Sequence, residues 1–316
     1  MFRARRRIVL RRPPVPPLIY LGTAALLSIA AGQLPAATPV VATAHAAADI
    51  GAPCPLGPSL VRAASARDTA GITTDAADDI DDTGTYVGQT LTITGAGVNG
   101  SISLPAESFV GARRGDALIY TLFDGSKSEV HAVDVTTGCD GILARPSAII
   151  RSAVLDPAAS AVYVHTVSSP GRADLGVTRY ALSGNSTAQV VPPLPDDPAF
   201  GITFGTQLGW STDGTALFVQ SCGAAQCRTR LLNVASGAIT TYDETGQGSI
   251  VGVSKQHVVA FAACDGSPCD VISIDRSSGA TSVLAQAALS ATLDDQPDGT
   301  TQATITTPAG TTEVDQ

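Results

Sequence analysis

One stretch of this chain maps onto the next with a constant offset of 42 residues and no gap. Between Trp210 and Gly279, Cys222 falls on Cys264, Cys227 on Cys269, Asn233 on Asp275, Ser236 on Ser278 and Gly237 on Gly279. A period in the low forties, with short apolar runs separated by turn residues, is the sequence form of a four-stranded propeller blade. Architecture follows from it; activity does not.

The same plan extends to both sides. Ala117–Phe123 and Glu129–Val135 read as strands closed by Gly138, and Ala161–Val167 and Val177–Leu182 as strands closed by Gly184. Four blades are expected at about 108–143, 149–191, 205–243 and 247–285, with a partial one beginning near 289. The alternation Thr90-Leu-Thr-Ile-Thr94 predicts a further hairpin over 86–105. It could supply the strands that the last blade lacks and so close a ring. The expected fold is therefore all-β, a propeller of about five to six four-stranded blades. An open or sandwich-like β array is the competing arrangement.

The N-terminus has a different texture. Arg3, Arg5, Arg6, Arg7, Arg11 and Arg12 precede an apolar run from Leu18 to about Ala31, and Ala44-His45-Ala46 offers a small-residue cleavage site. This is a signal-peptide pattern over 1–46, and Arg6-Arg7 suggests a twin-arginine route. The alternative is an uncleaved leader acting as a membrane anchor. Residues 47–84, with three prolines, a short helix around Ser59–Arg67 and a run of aspartates, read as an acidic linker arm before a repeat domain at 85–316. Cleavage after residue 46 would remove six Arg and no acid, leaving 13 basic against 28 acidic residues. A formal charge of −15 repels phosphate backbones and argues against nucleic-acid partners. The expected localisation is secreted, cell envelope or periplasm.

Trp210-Ser-Thr-Asp-Gly-Thr-Ala-Leu-Phe218 resembles the strand–turn–strand signature of the TolB-like propeller repeat, with weaker echoes at Leu155-Asp-Pro and Asp298-Gly-Thr. The resemblance implies that Asp213 and Gly214 form the tight turn between the first two strands of a blade. In the next blade Lys255-Gln256 replaces Asp-Gly. It also implies a scaffold whose members range from partner-binding modules to accessory domains of peptidases, which fixes no activity.

Cys222 and Cys227 bracket a four-residue turn, as do Cys264 and Cys269, so each pair lies opposite on neighbouring strands within disulfide range. A loop this short makes each bond worth about 2 kcal/mol. Zinc binding by all four sulfurs is disfavoured because the pairs occupy equivalent points on adjacent blades. Cys54 and Cys139 remain and may be paired only by elimination.

Asp79-Ile-Asp81-Asp-Thr83-Gly84 matches the opening of a calcium loop in Asp79, Asp81 and Thr83, but Thr90 stands where the closing acid belongs. Beyond the leader the histidines are His131, His165 and His257, each inside an expected strand. There is no nucleophile elbow, no His-Glu-x-x-His and no phosphate-cradling loop. The favoured expectation is an exported, non-catalytic binding module for a protein or glycan ligand, with no cofactor. The alternative is a propeller hydrolase or lyase acting on an extracellular carbohydrate or lactone through those histidines.

Overall fold

The computed structural model describes residues 56–316 apart from 68–70, 96–97, 106–108, 124–126, 169–172, 185, 195–204, 223–226, 245–247, 263–267 and 297–299. The described residues belong to the unit Ala44–Gln316. The leader expected over 1–46, Cys54 and Cys264 lie outside the described residues.

Among the described residues one helix, α1 (Pro58–Ala66), precedes 22 strands in six sheets. Blade 1 is β1 (Thr73–Ile80), β2 (Tyr86–Gly95) and β3 (Val98–Pro105). Blade 2 is β4 (Phe109–Arg114), β5 (Ala117–Phe123), β6 (Ser128–Asp134) and β7 (Asp140–Ala144). Blade 3 is β8 (Ile149–Leu155), β9 (Ala161–Val167), β10 (Asp174–Ala181) and β11 (Thr187–Val191). Blade 4 is β12 (Gly205–Trp210), β13 (Ala216–Cys222), β14 (Cys227–Asn233) and β15 (Ile239–Glu244). Blade 5 is β16 (Ile250–Val253), β17 (His257–Ala262), β18 (Cys269–Asp275) and β19 (Thr281–Ala288). Blade 6 is β20 (Ser290–Asp295), β21 (Thr301–Thr307) and β22 (Gly310–Asp315). Strand order in every sheet follows the chain and every pairing is antiparallel.

Five apolar clusters lie between successive sheets, because the middle strands are apolar on both faces. In β5, Leu118 and Tyr120 pack with Leu91 and Ile93 of blade 1, whereas Ala117 and Ile119 pack with Leu155 and Val164 of blade 3. In β13, Leu217 and Val219 face Tyr163 of blade 3, whereas Ala216 joins Val258 and Ile274 of blade 5. Val259 turns the other way, toward Ala303 and Ile305 of blade 6. Side chains two apart share a face, so an unbroken apolar run is a strand sandwiched between two others. First strands neighbour one another: β8 lies beside β4, β12 beside β8, and β20 beside β16. Six meandering sheets stacked face to face along the chain form a β-propeller.

Two expectations need correction. The 86–105 hairpin does not complete the last blade. It pairs with β1, and blades 1 and 6 are separate three-stranded sheets. Their chemistry suits terminal positions, since Leu91 and Ile93 alternate with Thr90, Thr92 and Thr94, leaving one apolar face. The second concerns the acidic arm: α1 is the short helix expected around Ser59–Arg67, but the strand β1 also falls inside 47–84. Asp75, Asp78 and Asp79 sit on β1, an edge strand, where charge discourages further pairing.

Candidate functional site

Each blade places two loops at the same end: the one joining its first and second strands, and the one after its third strand. The residue closing the third strand donates its backbone N–H to the first loop. Val135 donates to Asp116 O (2.9 Å), Leu182 to Ser160 O (2.8 Å), Val234 to Thr215 O (3.2 Å) and Arg276 to Gln256 O (2.8 Å). The position is apolar in blades 2, 3 and 4 and a guanidinium in blade 5.

The first loop of blade 5 departs as well. In blade 4, Ser211 N reaches Ala216 O (2.8 Å) across four residues, and Asp213 accepts from Ser211 Oγ (2.6 Å) and Thr215 N (3.1 Å). Gly214 takes φ +69, as the repeat resemblance implied. In blade 5, Ser254 N reaches His257 O (2.8 Å) across Lys255 and Gln256 alone. This tighter turn exposes both side chains.

Between blades 4 and 5 these differences frame an open cleft of about 580 Å³, within the range of small-molecule sites. Asn233, Ser236 and Tyr242 line the blade 4 side; Lys255, Gln256 and Arg276 line the blade 5 side. Tyr242 Oη donates to Arg276 O (3.1 Å), and Arg276 Nη1 donates to Ser254 O (2.6 Å) and Lys255 O (3.0 Å). The guanidinium is thus held in place by carbonyls. Among the described residues no carboxylate lies within ion-pair distance of it or of the Lys255 ammonium. A second cleft, about 400 Å³, adjoins at Lys255 and Gln256 and is lined by His257, Thr301 and Asp315.

The corresponding gap between blades 2 and 3 is partly covered by α1, and a smaller cleft of about 260 Å³ lined by Leu143, Arg145 and Tyr180 remains there. Val61 and Ala64 of α1 share a buried cluster with Leu182, and Leu56 N donates to Asp140 O (3.2 Å). Arg67 fixes the helix end through Asp134 (2.6 Å) and Asp116 (3.3 Å).

The three histidines do not converge; they lie on β6, β9 and β17. His131 stacks on Tyr120 (centroids 4.7 Å apart, 19° between planes), with Nε2 3.2 Å from Glu129 and Nδ1 3.3 Å from Asp140. Arg145 holds Glu129 (2.9 Å). Burial opposes the imidazolium, but the two carboxylates outweigh it and raise the His131 pKa. A raised folded-state pKa contributes stability that is fully present below the unfolded value of about 6.5 and is lost as pH rises through the folded value. The melting temperature is therefore expected to fall as pH increases above about 6.5, and His131→Asn should flatten that slope, as a pH series of thermal melts will read.

His165 is wholly buried between blades 3 and 4. Its Nε2 meets Asp174 (3.0 Å), which also accepts from Ser221 Oγ (2.8 Å) and Arg230 Nη2 (3.0 Å). Burial opposes ionisation of Asp174, yet these partners hold its carboxyl well below the usual range. No substrate reaches such a group; it clamps one blade to the next. His257 sits at the rim of the second cleft, 3.9 Å from Asp275.

Trp210 packs edge-on against Tyr163 and donates Nε1–H to Leu155 O (2.7 Å), so the motif's aromatic residue anchors blade 4 on blade 3. Cys222 and Cys227 are register partners on β13 and β14 and form the expected disulfide, Cα atoms 4.0 Å apart. That bond excludes the four-sulfur zinc arrangement. Cys139 and Cys269 are also disulfide-bonded, while their expected partners Cys54 and Cys264 lie outside the described residues. Of the calcium candidates, Asp79 accepts from Thr90 Oγ1 (2.9 Å). Asp81 Oδ1 instead accepts from Thr83 Oγ1 (2.6 Å) and from Thr85 N (2.9 Å) within its own turn. Among the described residues no group of three His, Cys, Asp or Glu side chains is placed to hold a metal ion.

Sequence reading noted Lys255-Gln256 as a departure but did not see Tyr242 or Arg276 as part of a site. The signal was present: the 42-residue offset puts Arg276 on Val234 and Lys255 on Asp213.

The fold is a β-propeller, defined by its sheet order and its five interfaces, and the Trp210–Gly214 turn is the one that the resemblance to the TolB-like repeat implied. No family model and no curated protein matches the chain. Among solved structures it is similar to TolB from Acinetobacter baumannii, at 13% identity and a TM-score of 0.49, over 79% of this chain and 64% of that one. It is also similar to an acylaminoacyl peptidase from Pyrococcus horikoshii, at 10% identity and 0.49, over 79% and 43%. A third likeness is to the propeller domain of the Trilobed protease from Pyrococcus furiosus, at 9% and 0.47, over 79% of each. The chain spans less than two thirds of the first two.

Proposed function

We propose that this protein is an exported, non-catalytic binding module whose ligand occupies the cleft between blades 4 and 5. The observation that carries this reading is the cleft itself: an open gap walled by Lys255, Gln256 and Arg276, larger than the one left between blades 2 and 3, which α1 partly covers. Supporting it, His131 and His165 are each engaged by carboxylates of their own blade, and His165 is wholly buried. The disulfide at Cys222–Cys227 fits an oxidising compartment, and the Arg-rich leader supplies the route to one. The test is a thermal-shift screen of sugars, organic acids and peptides, run beside assays for ester, lactone and glycan cleavage. Ligands that raise the melting temperature without being consumed are expected. Turnover that is abolished in His131→Ala or His257→Ala would replace this reading with the hydrolase or lyase alternative.

A further inference from the structure

The backbone N–H that Arg276 donates to the first loop is donated by Val135, Leu182 and Val234 in the other blades, so that contact needs no basic side chain. Lys255 is one of two exposed residues in a first loop shorter than that of blade 4. Both residues fall in one blade and open onto one cleft. After the leader only 13 basic residues serve the domain, so two unpaired cations on a −15 background are a concentrated local exception. We infer that this cleft binds a small polycarboxylate, with the Arg276 guanidinium clamping one carboxylate and the Lys255 ammonium receiving a second.

The chemistry of the walls fits that occupant. Arg276 is half-buried and its Nη1 is spent on two carbonyls, which fixes the plane of the guanidinium and presents the remaining donors to the cleft. A fixed guanidinium plane suits the paired oxygens of a carboxylate. Lys255, exposed on a two-residue turn, adds a movable charge. Asn233, Ser236 and Gln256 add neutral donors and acceptors for hydroxyl groups on the same ligand.

Two acids lie nearby, Asp275 in the cleft lining and Asp213, whose carboxylate feels the Arg276 charge, and each accepts hydrogen bonds from its own turn. Asp275 Oδ1 accepts from Ser277 N (3.0 Å), Ser277 Oγ (2.6 Å), Ser278 N (2.7 Å) and Ser278 Oγ (2.8 Å), so this oxygen is taken up by donors of its own turn. Asp213 is likewise engaged by Ser211 and Thr215.

This inference rests on the cleft being the binding site, and calorimetric titration with citrate at neutral pH tests it, with glycerol as the uncharged control. Arg276→Val installs the residue that blade 4 carries at the same position but removes the donor to Ser254 O and Lys255 O, so a thermal melt first establishes that the variant is folded. The variant should lose on the order of tenfold or more in citrate affinity, the size expected for one charge-assisted hydrogen-bonded contact. Lys255→Gln should lose less, and Arg145→Ala on blade 2 nothing. Equal citrate binding by wild type and Arg276→Val, or no citrate binding by a folded wild type, would overturn the polycarboxylate assignment. The site itself would survive that result only if another screened ligand binds the wild type and fails to bind Arg276→Val; without such a ligand both fall.

Discussion

Asp174→Ala is expected to cost about 3–5 kcal/mol, the range for removing one partner of a buried ion pair. Its carboxylate is the meeting point of two blades. Oδ2 accepts from His165 and, across the interface, from Ser221 and Arg230; Oδ1 accepts from Gly176 N (2.7 Å) and Leu194 N (3.3 Å). Arg230 is only 4% exposed and Asp174 5%. Truncation therefore leaves a guanidinium in the interface with no counter-charge. For a domain of this size the melting temperature should drop by about 10 °C. Calorimetry will read it, and a change below about 2 °C would show that the cluster does not join the blades. The depressed carboxyl pKa gives a second signature. A lowered folded-state value contributes stability that is present above the unfolded pKa of about 3.9 and is lost as pH falls through the folded value. The difference between wild type and variant should therefore shrink under acid and persist at neutral pH.

Gly176→Ala should be nearly as damaging, by about 3 kcal/mol or more. Gly176 has φ +77, which costs an L-residue about 1–2 kcal/mol by itself. An added Cβ would also collide with the Val191 carbonyl oxygen and lie 2.7 Å from the Pro192 carbonyl carbon. That backbone cannot retreat freely, because Pro192 O accepts from Arg230 Nη1 and the Gly176 N–H is bound to Asp174. Gly184→Ala is the internal control. Its φ is +87, but a Cβ there meets nothing within 4 Å, so only the backbone penalty of about 1–2 kcal/mol applies. Equal losses in the two variants, measured by denaturant unfolding, would contradict the close approach seen at Gly176.

How much of this was legible in the sequence depends on whether a signal is local. The Cys222–Cys227 hairpin and the Trp210–Gly214 turn are local, and both stand where the repeat places them. The two-faced apolar strands β5, β9 and β13 are local too, since Ala117–Phe123 or Ala161–Val167 cannot lie in a half-exposed sheet. Strand β1 was hidden because Thr73–Ile80 carries three aspartates and buries little, so its pairing with β2 leaves no apolar alternation to read. The blade 3–4 clamp was hidden for another reason. His165, Asp174, Ser221 and Arg230 are brought together by sheet stacking, and nothing in their spacing reports it. Arg276 and Lys255 fall between these cases. Each looks like an ordinary surface base until the blades are compared, when Arg276 occupies a position that blades 2, 3 and 4 fill with apolar residues and Lys255 lies in a first loop shorter than that of blade 4.

In the proposed function, ligand recognition resides in the blade 4–5 cleft and not at the histidines. Hydrogen–deuterium exchange with and without saturating citrate tests it directly, because exchange is read segment by segment. Slower exchange is expected at 233–242, 254–257 and 275–279, with blades 2 and 3 unchanged. Protection centred on the β5–β7 cluster around His131, or no protection near Arg276, would contradict the claim.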